Sequence, residues 1–228
     1  MKSANFSARR GAVLWMAIGA LIGNAGELLA QAAGDKPKVE RPYGDGPLSL
    51  EDFGTEPPAG TTRGAKVYAN INFEHVYRSF ASSPGKRTAF IQSVEVRADV
   101  LRWRSWIFDR QQREALAYPQ GHYDIDQLLA KKCQRAMYQK LADGEQIFGV
   151  GASEQEAVGE MEKRLSEIME PVVEDRADLH HQYDEATDGG ADAQAIEASR
   201  KETLRQLAEI EKELKKLAAA ALRRSRRR

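Results

Sequence analysis

The sequence predicts an α+β fold: a small antiparallel sheet packed against two long helices, with a further helix at the C-terminus. Two runs of period-two alternation flank the turn signal Ser82-Ser83-Pro84-Gly85, the pattern of paired strands that present alternate side chains to one core. Downstream, two long stretches repeat apolar residues every three or four positions, the spacing of amphipathic helices. Two strands alone are marginal in water, so those helices must cover them.

Composition sets the outer bounds. A chain of 228 residues suffices for one ordinary domain with extensions. Lys+Arg and Asp+Glu are equal at 34 each, which removes the global reason to expect nucleic acid, a ligand that selects a basic surface. The single cysteine, Cys133, cannot form an internal disulfide and is expected as a buried, inert thiol.

The N-terminus carries Lys2, Arg9 and Arg10, then the apolar run Ala12 to Ile22, then Ala30-Gln31-Ala32 ahead of Ala33. This is the three-part order of a secretory signal, which assigns residues 1–32 to export and the protein to the periplasm or the outside of a bacterial cell. A retained membrane anchor is the other reading, but the uncharged run falls short of the roughly 20 apolar residues a span prefers. No cysteine follows the run, so no lipid anchor is indicated. Residues 33–64, with Pro37, Pro42, Pro47, Pro57 and Pro58 among glycines and charges, are expected as a linker.

A domain is expected over 65–190. Ala69, Ile71 and Phe73 alternate with Asn70, Asn72 and Glu74 in a first strand; Phe90, Val94, Val96, Ala98 and Val100 alternate with Ile91, Ser93, Glu95, Arg97 and Asp99 in a second. Trp103, Trp106 and Phe108 should mark where sheet and helices meet, because each ring buries a large apolar area. Asp109 is the expected N-cap of a helix running to about Leu141, followed by a glycine-rich break from Gly144 to Gly151. Ser153 and Glu156 fit a capping box for the next helix. That helix carries Val158, Met161, Leu165, Ile168 and Val172, is expected to kink at Pro171, and ends at Gly189-Gly190.

Residues 191–228 form an amphipathic helix with an arginine-rich tail. Leu207, Ile210, Leu214, Leu217 and Ala221 step by three and four as a seam, and Leu204 widens it. Arg200 and Thr203 occupy earlier seam positions, so packing on the chain's own domain and self-association through 191–222 are both open. Arg223, Arg224, Arg226, Arg227 and Arg228 suit a helix C-terminus, where cations interact favourably with the macrodipole; contact with an anionic membrane surface or polyanion is the alternative use.

The stretch with chemical content is Tyr118-Pro119-Gln120-Gly121-His122-Tyr123-Asp124-Ile125, followed later by Tyr183-Asp184-Glu185-Ala186-Thr187-Asp188-Gly189-Gly190. Over roughly 66–190 it resembles the bacterial domain family of predicted secreted zinc-dependent proteases, with an H-E-Q-G-H-[FY]-D-I helix and a later Tyr-Asp-x-x-Thr-[DN]-His-Gly stretch. The resemblance implies a zincin-like domain in which two histidines four apart hold one metal ion and a glutamate activates its water. Here the first histidine position is Tyr118, the glutamate position Pro119 and the later ligand position Gly189; only His122 keeps its chemistry.

These departures imply a pseudoenzyme. No catalytic residue and no cofactor are expected, since the base position is Pro119, and the function that follows is an exported binding or scaffolding protein of the cell envelope with a protein partner. Pro119 should also bend its helix. Two alternatives stand beside this reading. One is a metal-dependent peptidase with a relocated zinc site drawn from His122, His180, His181 and Asp126; the other is a periplasmic helical chaperone-like protein. No G-x-S-x-G, phosphate-binding glycine loop or dinucleotide fingerprint supports other enzyme classes.

Overall fold

The computed structural model describes residues 8–10, 40–61, 64–108 and 113–225. The chain is α+β, a small antiparallel sheet with long helices that include one at the C-terminus. In chain order the strands are β1 (Ala8–Arg10), β2 (Arg41–Pro42), β3 (Ala65–Lys66), β4 (Ala69–Ser83), β5 (Lys86–Val100), β6 (Trp106–Ile107) and β7 (Phe148–Gly151). The helices are α1 (Ala117–Asp143), α2 (Glu154–Glu174), α3 (Arg176–Ala186) and α4 (Ala193–Ser225). Most of the expected signal segment, Asp109, and the tail residues Arg226, Arg227 and Arg228 lie outside the described residues.

The centre is the β4–β5 hairpin, closed at Pro84-Gly85 with Gly85 at φ 72°, a left-handed backbone that glycine adopts without a Cβ clash. β1 pairs with β4, while β2 and β7 pair with the two ends of β5. β3 and β6 form a separate ribbon. Ile71, Phe73, Val94 and Val96 face Leu129, Cys133 and Met137 of α1 and Met161, Leu165 and Met169 of α2. Cys133 is fully buried, and burial pushes its thiol up to about 12, as expected of a packing residue.

One register detail overturns the expected alternation. Val76 pairs with Ser93 but Tyr77 with Ile91, so Gln92 is an extra residue in β5. A bulge reverses the faces beyond it. Ile91 therefore enters the core, and Phe90, expected inward, turns to the other face, where its ring meets Phe80 at 5.1 Å. In the aromatic cluster Ile107 is the deeply buried residue, whereas Phe108 is exposed.

Residues 40–61 depart from the expected linker. Leu48 and Phe53 are buried in a second core with Ala69, Ala98, Val100, Ile107 and Tyr123. Asp52, fully buried, accepts from Arg41, Arg102 and the Ser49 backbone N–H. Few apolar residues suffice here because the strap covers a patch that the helices leave open, and its buried carboxylate, Asp52, is paired.

The helices also differ at their ends. A 3-10 turn, Arg113–Leu116, precedes α1, so Pro119 is the third residue of the helix rather than a mid-helix residue. First-turn N–H groups lack intrahelical acceptors, so a proline there removes nothing and the expected bend has no cause. The second long helix is divided at Asp175, one turn beyond Pro171, into α2 and α3. Ser153 accepts from Glu156 N at 3.2 Å, but the Glu156 carboxylate reaches Ala152 N at 2.8 Å, one residue before the expected partner.

α4 lies along α1 in the same direction: Arg200 pairs with Asp124 near their starts and Arg135 with Glu213 further on. Leu207, Ile210 and Leu214 of the predicted seam are buried with Leu128. That part of the seam is spent within the chain. Among the described residues, no helix is long and apolar enough to cross a membrane.

Candidate functional site

The residues that carry the resemblance sort into a structural half and a polar cluster. Gln120 accepts from Leu48 N at 2.6 Å and donates to Asp124 at 2.6 Å. Asp124 in turn takes the Tyr43 hydroxyl at 2.9 Å and Arg200 Nε at 3.0 Å. Tyr123, fully buried, donates to the Arg41 and Ala98 carbonyls. These side chains thus tie α1 to the strap, to β5 and to α4. Gly121 lets α3 approach, because a Cβ there would overlap the Tyr183 phenol.

On the opposite side, Tyr118, His122 and Asp126 stand four apart on α1 and so share one face. α3 meets them with Arg176, His180 and Asp184, also four apart. The His122 and His180 Nδ1 atoms are 2.7 Å from each other. Behind them, His180 Nε2 lies 3.0 Å from Asp126 Oδ1, and His122 Nε2 lies 3.0 Å from Asp184 Oδ1. Arg176 grips both Asp126 oxygens, at 2.7 and 2.9 Å. The Tyr118 hydroxyl donates to Asp184 at the other end.

Aromatic rings wall the cluster. Tyr183 stacks on Tyr118 with centroids 5.5 Å apart, and both phenol rings meet His122 edge-on. Tyr183 Oη donates to the Tyr118 carbonyl at 3.2 Å, while buried Thr187 caps α3 on the Tyr183 carbonyl at 2.7 Å. Gly190, at φ 94°, passes so close to Tyr118 that a Cβ would sit 2.8 Å from its ring. Gly189 is also left-handed, at φ 58°.

The charge states follow from these surroundings. Burial lowers the His122 pKa, the neighbouring His180 lowers it further, and opposition from Asp184 and Asp126 leaves it at about 4. Burial alone would raise Asp126, but Arg176 and His180 outweigh it and hold the carboxyl below its usual range. Burial and then Asp184 push the Tyr118 phenol upward, so it stays a donor. The site therefore pairs a neutral His122 with a carboxylate at Asp126.

Of the residues singled out in the sequence, His122, His180 and Asp126 come together and His181 does not. His181 is exposed and faces Glu185 at 3.3 Å. Tyr183 and Asp184 enter the sequence reading only as the start of the later motif stretch, and Arg176 not at all, although Arg176-His180-Asp184 repeats the four-residue spacing of Tyr118-His122-Asp126. Tyr118, at the first histidine position of the resemblance, donates to Asp184. Among the described residues, no group of three or more His, Cys, Asp or Glu is arranged to hold a metal ion. Comparison with protein-family models, curated proteins and solved structures returned no match.

A second buried polar pair lies between sheet and helix. His75 Nε2 is 3.5 Å from Glu162 Oε1 and makes no hydrogen bond. Burial lowers the pKa of His75 and raises that of Glu162. Both shifts favour the neutral forms, so this is a weak contact rather than an ion pair.

Proposed function

We propose that this chain is an exported, non-catalytic relative of secreted zinc-dependent proteases, acting as a binding or scaffolding protein of the cell envelope. One observation carries the reading: the four ring nitrogens of His122 and His180 are all engaged by side chains of the chain itself. A metal ligand must present a free lone pair to the ion, and each of these nitrogens already faces a side-chain atom of the chain itself. The substitutions point the same way. Pro119 offers no group to activate water, and the Tyr118 phenol is held as a donor to Asp184.

Export rests on the basic, apolar and small-residue order of residues 1–32. A fold kept without its reaction retains surfaces, so its partner is another protein. Contact with an anionic membrane surface through Arg223, Arg224 and the arginines after them is a secondary proposal. Elemental analysis of the purified chain tests the central claim. Zinc well below one equivalent and no peptidase activity are expected; stoichiometric zinc, removed by chelator together with a peptidase activity that His122→Ala also abolishes, would overturn it.

A further inference from the structure

Strand β7 is paired along one edge. Ile91 N donates to Ile147 O at 3.1 Å, and the register continues with Ala89 opposite Gly149 and Arg87 opposite Gly151. Alternate residues of an antiparallel strand bond to alternate sides. Gly149 and Gly151 therefore bond toward β5, while the N–H and C=O groups of Phe148 and Val150 point to the other edge. Among the described residues no strand pairs there, and Val150 is 42% exposed. A bare edge of this kind is a template for another strand.

Helix α2 runs beside that edge, and the two enclose an open groove lined by Val150, Gly151, Glu156, Gly159, Glu160 and Arg164. Gly149 and Gly151 let them come close: a Cβ at Gly149 would meet Ala157 O at 2.1 Å, and one at Gly151 would meet Glu156 Cβ at 2.4 Å. Gly159 has no such reason. It lies inside α2, where glycine is less stable than alanine, yet nothing beyond its own turns of helix lies within 4 Å of where its Cβ would be. The charges along the groove are ordered. Arg164 lies over the Phe148 ring at 4.5 Å, and Glu156 sits beside Gly151.

We infer that a second copy of this chain docks on this edge, joining the two sheets about a two-fold axis through Gly149. The edge is its own complement. Inverted about Gly149, Phe148 opposes Val150 of the second copy, so the N–H and C=O groups left free on each strand meet one another. An aromatic ring against a β-branched side chain is a favourable cross-strand pair. The same inversion sets Arg164 against Glu156 of the second copy, and Glu156 against its Arg164. Glu160, level with Gly149, and its neighbour Gly159 fall near the axis. There the absent side chain of Gly159 leaves room for the second helix, and Glu160 stays one turn from Arg164. An isologous contact of this kind closes as a dimer. It uses no residue of the His122 cluster and none of the α4 seam.

Sedimentation of the purified full chain is the experiment. The mass of two chains is expected at about 0.1 mM. Val150→Lys puts a charge on the pairing strand and Gly159→Leu fills the groove. Each should raise the dimer dissociation constant about tenfold or more while far-ultraviolet circular dichroism stays the same. Arg164→Glu and Glu156→Arg chains should associate weakly alone and recover when mixed, because the mixture restores both acid–base contacts between copies. Leu222→Ser, at an exposed position of α4, should leave the mass unchanged. A single-chain mass at that concentration overturns the inference, as does a dimer that Val150→Lys or Gly159→Leu leaves intact, or one that Leu222→Ser breaks. Zinc content of the same samples bears only on the proposed function, so the two readings fail separately.

Discussion

At the scale of single residues, His122 makes stability depend on pH with a definite sign. Its ordinary value of 6.5 falls to about 4 in the folded chain. Between those values the unfolded chain carries a proton that the folded chain lacks, so stability drops as the pH falls from about 6.5 through about 4. Asp126 adds to the same trend, because its lowered pKa contributes stability that is lost on acidification. Urea unfolding at several pH values should show the midpoint falling over this range, and His122→Gln should flatten the part between 4 and 6.5. Gly121 gives a second test. A Cβ there must displace the buried Tyr183 ring, so Gly121→Ala should cost about 1–3 kcal/mol in equilibrium unfolding. The glycine was read from the sequence as part of a motif scaffold; its reason, room for a tyrosine from another helix, required both helices in place.

At the scale of elements, α4 belongs to the domain as much as α1 does. Ile210 and Leu214 are buried against Leu128, whereas Leu204, on the same helix, is 44% exposed. Ile210→Ala should therefore cost about 2–5 kcal/mol, and Leu204→Ala should stay within about 0.5 kcal/mol, as surface substitutions usually do. Similar losses for both would mean that the seam packs elsewhere. The seam's periodicity was legible in sequence, but its partner was not, because an apolar stripe fits a second copy or a helix of the same chain equally well. Helix ends were less legible: Pro119 sits harmlessly in a first turn only because α1 starts at Ala117, and no local signal announced that start. The bulge at Gln92 likewise has no signature in the alternation that it reverses.

At the scale of the whole molecule, the strap of residues 40–61 closes the end of the core where α1 begins. Phe53 is 1% exposed and packs with Tyr123, Val100 and Ile107. Phe53→Ala should cost about 3–5 kcal/mol in thermal or denaturant unfolding. A change within about 0.5 kcal/mol would instead mark the strap as the tether its composition suggests. Asp52, between Arg41 and Arg102, is the second test: Asp52→Ala removes the buried carboxylate that both guanidiniums and the Ser49 backbone N–H share, and should also destabilise.

The sequence by itself determined the class of fold, the hairpin turn, the helical stripes and the presence of Tyr118 and Pro119, rather than a histidine and a glutamate, before Gln120-Gly121-His122. All of these are local facts, written in periods of two and 3.6 or in the chemistry of one side chain. Tertiary structure alone decided what surrounds His122. His122 and His180 are 58 positions apart in the chain; their meeting depends on the helix break at Asp175 and the clearance at Gly121, which turn the α3 face onto α1. The contact between the two rings exists only once the helices are packed, and no residue pattern along the chain specifies that distance.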